Sequence, residues 1–145
     1  MNKETISLRG HHLFCMNVAD MTGDPIYNPK FCQNARSYQE RLSNPNQLVK
    51  IVPHCGDTCR YCPSWNEADN KCFLYDYQPG ANQIDLTVLR KLGLNIGDEI
   101  TAGELQRRIR DTYGNNLPTM CFTQCGFEDL LHCQQGLNKL QVEPL

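Results

Sequence analysis

Two groups of cysteines carry most of the chemistry open to this chain. Cys55, Cys59, Cys62 and Cys72 lie in a stretch rich in Pro, Asp, Asn and Gly, while Cys121, Cys125 and Cys133 run into a C-terminal helical pattern. Cys59-Arg60-Tyr61-Cys62 is a C-x2-C knuckle followed directly by Pro63. At that separation a tight turn aims two sulfurs at one metal centre, and the exposed N–H groups of the turn can hydrogen-bond the bound thiolates. Four thiolates complete a tetrahedral zinc site or a cubane iron–sulfur cluster. The second group has three sulfurs, so the economical arrangement draws ligands from both groups into one centre. Two centres would need an eighth ligand from Cys15, Cys32 or a histidine.

Zinc and iron–sulfur both fit these spacings. Knuckles of this kind commonly bind zinc, but a zinc ribbon usually shows two of them and this chain has one. The irregular spacings, the Cys-Pro step and the surplus of sulfurs over four are closer to cluster proteins. Cys55-x3-Cys59-x2-Cys62 also has the spacing by which radical enzymes hold a cluster that binds S-adenosylmethionine. Those enzymes need a partial α/β barrel, for which this chain is too short and too helical.

The other reactive stretch is Leu8-Arg9-Gly10-His11-His12-Leu13-Phe14-Cys15. On a helix His11 and Cys15 are four apart, and His12 and Cys15 three apart. A histidine beside a thiolate can donate a proton, bind metal or serve as the base of a reactive cysteine, which makes His11, His12 and Cys15 the catalytic candidates. The plainer role for either histidine is hydrogen bonding to loop backbone. His54 and His132 each precede a cysteine; adjacent side chains diverge, so exposure is expected for both. Cys32 has no cysteine within helical reach and reads as a small buried hydrophobe.

The whole composition sets the context for this chemistry. Nine cysteines among 145 residues cannot all pair, and the longest apolar run near the N-terminus, Leu13 to Met16, is far short of an export signal. A cytoplasmic setting is therefore expected, where clustered thiols bind metal or do redox chemistry. Sixteen acidic against 14 basic residues leave no basic footprint for nucleic acid and no polybasic membrane patch.

The elements that must position these groups read as mainly α with irregular cysteine-rich loops and at most one or two short strands, in a single domain over residues 1–145. A first helix is expected from Leu8 to about Ala19 and a second from about Lys30 to Leu42. Leu48-Val49-Lys50-Ile51-Val52-Pro53 is the best strand. An irregular loop follows from His54 to about Gly80. Asp85 can cap a short helix with Leu86 and Leu89 facing inward and Gly93 at its end. Thr101 and Glu104 form a capping box ahead of Leu105, Ile109 and Tyr113, and Gly114 closes that helix. A last helix should cover Glu128 to Leu140, with Leu130, Cys133, Leu137 and Leu140 on its inner stripe.

At these residues the chain resembles a small bacterial and archaeal family of uncharacterised proteins to which iron–sulfur binding is ascribed. The shared points are the Leu8–Cys15 motif, Asp57-x-Cys59, Cys72, Asp85 ahead of Leu89-x-x-Leu92-Gly93-Leu94-x-x-Gly97, and Cys121, Cys125 and Cys133 before Gly136-Leu137. The resemblance runs over nearly the whole chain. It departs at Gly10, where proline is expected, and in having three residues between Cys121 and Cys125 and no aromatic directly after Cys125. It implies a bound cluster in preference to zinc, with Cys59, Cys72, Cys121, Cys125 and Cys133 as ligands; the knuckle adds Cys62. It implies no established reaction. The expected function is a single [4Fe-4S] centre between the mid-chain loop and the C-terminal helix, exchanging electrons with a redox protein or small molecule. The alternatives are a small enzyme using an open iron or a reactive cysteine near His11 and His12, and a structural zinc module.

Overall fold

The computed structural model describes residues 5–18, 29–62, 65–73, 76, 83–118 and 131–142. Five strands and five α-helices are found among them: β1 (Thr5–Arg9), α1 (Gly10–Val18), α2 (Pro29–Leu42), β2 (Leu48–Val52), β3 (Trp65–Asn66), β4 (Lys71–Cys72), α3 (Gln83–Leu92), β5 (Glu99–Thr101), α4 (Ala102–Tyr113) and α5 (Leu131–Val142). The architecture is mainly α, with short strands in two small sheets. More strands form than the one or two expected, because β1, β5 and the β3–β4 hairpin are only two to five residues long.

The main sheet has the order β1-β2-β5. β1 and β2 are parallel, with Ile6 opposite Val49 and Leu8 opposite Ile51, and β2 pairs antiparallel with β5, with Val49 opposite Ile100. A parallel pair needs a long crossover, and here the connection includes α1 and α2. Leu8 and Arg9 belong to β1 and not to the first helix. The alternation of Thr5-Ile6-Ser7-Leu8 buries Ile6 and Leu8 on one face, a period-two signal too short to stand out before the helix begins.

α1 runs through the core with Leu13, Phe14, Met16 and Val18 buried, which explains its lack of a polar face. α2 and β2 lie where the sequence puts them. In α3 the inner stripe is Ile84, Val88, Leu89 and Leu92, while Leu86, expected inside, is 39% exposed. Two residues along a helix is about 200° of rotation, so Leu86 and Ile84 cannot share a face. The Thr101 hydroxyl accepts the Glu104 backbone N–H at 3.3 Å. The return half of the capping box is replaced, because the Glu104 carboxylate accepts instead from Arg107 Nε at 2.9 Å and Arg108 Nε at 3.0 Å. In α5, Cys133, Leu137 and Leu140 are buried as expected, while residues 128–130 lie outside the described residues. None of the described helices is long and apolar enough to cross a membrane.

α5 crosses α1 at Gly136, where an added Cβ would fall 2.0 Å from the Val18 carbonyl oxygen. Gly136→Ala should therefore lower stability by about 1–3 kcal/mol through overpacking, against the gain in helix propensity. Thermal unfolding followed by circular dichroism checks this. An equal or higher Tm would show that the two helices separate without cost.

Candidate functional site

The site is organised by a buried arginine. Arg9, the last residue of β1, is 1% exposed, and its charge is met by carboxylates from two distant segments. Its Nε donates to Asp85 Oδ2 at 2.9 Å, while Nη1 and Nη2 donate to Asp76 Oδ2 and Oδ1 at 3.0 and 2.6 Å. Asp76 also accepts the Cys72 backbone N–H at 2.6 Å. Asp85, in the first turn of α3, accepts the His11 backbone N–H at 2.8 Å and lies 2.6 Å from His11 Nδ1. It thus serves the first turn of α1 rather than capping its own helix. Burial alone would raise the Asp85 carboxyl, but the His11 hydrogen bond and the charges of His11 and Arg9 outweigh it and hold Asp85 far below the ordinary carboxylate range. Asp76 is lowered in the same way, with burial opposed by Arg9 and the Cys72 N–H.

Gly10 makes the contact with α3 possible. A Cβ at that position would meet the Asp85 carbonyl oxygen at 2.6 Å and its Cα at 2.7 Å. With proline, the residue expected there, Asp85 could not approach α1 in this position.

Three cysteines are buried together, and Cys55 among them faces the arginine. Cys55, Cys59 and Cys72 form a small buried cluster, with Trp65 packed against it. Cys59 ends a 3-10 turn over Asp57–Cys59, and the turn is anchored on β1 because the Ser7 N–H donates to Asp57 Oδ2 at 2.9 Å. The chain then bends again, with Cys62 N–H on the Cys59 carbonyl and Trp65 N–H on the Cys62 carbonyl, both at 3.0 Å. Tyr61, at φ 68°, holds the left-handed conformation that turns the knuckle. The Trp65 ring N–H donates to Asn70 Oδ1 at 3.2 Å and secures the hairpin that brings in Cys72.

The sulfurs are electrostatically unequal. Arg9 Nη1 lies 3.7 Å from Cys55 Sγ. Cys59, then Arg9, lowers the Cys55 thiol against burial and Asp76, whose Oδ2 is 3.8 Å away. Cys55 together with burial pushes the Cys59 thiol well up. His12 Nδ1 lies 3.7 Å from Cys59 Sγ and 3.2 Å from Thr58 Oγ1. Burial, then the positive charges of His11 and Arg9, holds His12 well below the usual histidine value, so its imidazole is neutral near pH 7.

The expected ligands are divided between environments. Cys59 and Cys72 join Cys55 in the small cluster, whereas Cys62 packs against the larger core and Cys133 is buried within it. Cys121 and Cys125 lie outside the described residues, as does the side chain of His132. Cys15 and Cys32 are half-buried against the larger core, and His54 is exposed with Nδ1 2.9 Å from the Cys55 carbonyl oxygen. Among the described residues no three His, Cys, Asp or Glu side chains converge as a preformed metal site. In donor chemistry the three buried sulfurs suit a thiophilic metal, and a fourth thiolate would have to come from Cys62 or the C-terminal group.

Arg9, Asp76, Asp85 and Thr58 are the site residues that spacing did not reveal. Arg9 lies within the histidine motif, but its partners are 67 and 76 residues away, so no local pattern links them.

The whole is a small, mainly helical protein with a cysteine cluster built on a buried ion-pair node. The profile of a family described as proteins of unknown function, DUF1284, matches residues 27–131, and the chain belongs to that family. No curated protein and no solved structure matches it.

Because Asp85 is more acidic in the folded chain than unfolded, the folded state binds fewer protons, and stability must rise with pH through the acid range. The Asp85 contribution is complete above about pH 4 and is lost as pH falls below that value. Asp85→Asn should cost about 3 kcal/mol near neutrality. Its deficit relative to wild type should narrow by about 1.4 kcal/mol per pH unit below about pH 4. Urea unfolding at several pH values measures this, and a deficit that stays constant into acid would exclude an ionised, stabilising Asp85.

Proposed function

We propose that this protein binds a single [4Fe-4S] centre and works in electron transfer in the cytoplasm, exchanging electrons with a redox protein or a small molecule. The observation that carries the reading is the burial of Cys55, Cys59 and Cys72 together under Trp65. Sulfurs shielded from water beside a positive charge are suited to a cluster, whose potential depends on burial, hydrogen bonding and local charge. Cys59 and Cys72 serve as ligands, with the rest drawn from Cys62, Cys121, Cys125 and Cys133, and the geometry adds Cys55 to these candidates. When bound, the cluster would supply one-electron chemistry. Arg9, 3.7 Å from Cys55 Sγ, favours the thiolate form of that sulfur.

A second reading, a small cluster-dependent enzyme, is favoured by one feature. His12 places a neutral ring nitrogen 3.7 Å from Cys59 Sγ, where a proton acceptor would serve bound substrate.

Anaerobically purified protein should contain about four irons and four sulfides per chain. Zinc at one per chain without sulfide would replace the redox readings with a structural zinc module. Cys59→Ser should lose the cluster absorbance and lower the Tm, and unchanged iron and melting would remove Cys59 from the ligand set. His12→Ala should keep its iron, since His12 is placed beside the sulfurs and not among the ligands; loss of iron would make it a ligand.

A further inference from the structure

We propose that the groove between the start of α2 and the cysteine knuckle binds a small, flat aromatic anion: a ring that carries a phosphate or a carboxylate. The groove has a volume of about 540 Å³ and is lined by Pro29, Lys30, Gln33 and Tyr61. That size is ordinary for a small-molecule site. Its two walls are tied together, because Asn34 Nδ2 of α2 donates to the Asp57 carbonyl at 3.2 Å and to the Arg60 carbonyl at 3.5 Å. Tyr61 is 41% exposed, and two cations stand over its ring, with Lys30 Nζ 5.1 Å and Arg60 Cζ 5.7 Å from the centroid. Among the described residues neither cation is held by a carboxylate, and no acidic side chain lines the groove.

Two of these residues are costly where they stand. Lys30 lies in the first turn of α2, where the helix dipole disfavours a cation and no acidic residue offsets it. Tyr61 holds a left-handed backbone that suits Gly or Asn better than a bulky ring. Two departures from local preference that meet at one groove mark a functional surface. A ligand gives each residue a use. Lys30 and Arg60 have long, flexible stems, and a cation–π contact is weak at an exposed site, so both can leave the tyrosine for the anion. The ligand ring then stacks on Tyr61 beside Pro29, and the Gln33 amide can donate to or accept from its polar edge. Tyr61 lies between Cys59 and Cys62, so a redox-active ring bound there would sit against the knuckle. That use rests on the iron–sulfur reading, whereas the binding does not.

The probe is flavin mononucleotide, a flat ring bearing a phosphate, titrated into the full chain as purified while its fluorescence is followed. Quenching with a Kd on the order of 10–100 μM is expected. Riboflavin, which lacks the phosphate, should bind about tenfold more weakly. Tyr61→Asn keeps a residue that tolerates the left-handed turn and should weaken flavin mononucleotide about tenfold. Lys30→Gln, on the exposed surface of α2, should weaken it about fivefold without disturbing the fold. No quenching by about 1 mM flavin mononucleotide would overturn the proposal. So would equal affinity for riboflavin, or variants that bind as the wild type does. The readout needs no iron: a metal-free chain that binds the probe keeps the site and loses the cluster, and an iron-loaded chain that does not bind it does the reverse.

Discussion

The burial of one guanidinium governs this structure. Removing an arginine and two carboxylates from water costs several kcal/mol per ion, and the loss is offset only where geometry satisfies the charges. Arg9 meets that condition with a two-pronged contact to Asp76 and an Nε contact to Asp85. The three residues end a strand, hold a loop and begin a helix. β1 and α3 reach the core through their own buried apolar residues, Ile6 and Leu8 in one and Ile84, Val88, Leu89 and Leu92 in the other, and the ion pairing ties Asp76 and the cysteine loop to them.

The node also sets the limits on α1. Asp85 binds both the backbone and the ring of His11, which requires α3 to approach within a distance that excludes a side chain at Gly10. At its other end α1 is met by α5 through Gly136. A helix held this closely on both sides keeps His11 and His12 in fixed positions. Their separate roles follow from this: His11 is tied to Asp85, and His12, its neighbour in a T-shaped ring contact at 4.4 Å, turns toward Thr58 and Cys59.

Local signals in the sequence carried the elements well where they were long and periodic. The α2 helix, the strand at Leu48–Val52 and the Leu105–Ile109–Tyr113 stripe of α4 were all legible. Short strands were not, since β5 is three residues that run straight into the cap of α4. The site was legible as chemistry and less so as geometry. The sequence groups Cys55, Cys59 and Cys72 together with Cys62, which packs against the larger core instead, and the histidine motif gives a neighbour in His12. The charged partners were hidden because pairing across 67 and 76 residues leaves no periodicity, and because Asp85 looks like an ordinary helix cap.

The same charge that fixes the fold acts on the sulfurs. Arg9 Nη1 is shared between Asp76 and Cys55, and Asp76 itself lies 3.8 Å from that sulfur. The carboxylate therefore screens the arginine as it holds it, and Cys55 feels a positive charge tempered by a negative one. Cys59 lies on the other side of the pair, against a neutral imidazole. Two thiols of one buried cluster are thus given unequal surroundings, Cys55 by the ion pair that holds the loop and Cys59 by His12. A substitution at Arg9 would disturb both functions at once, whereas one at His12 would reach only the Cys59 side, so the two positions separate the structural demand on this node from its chemical one.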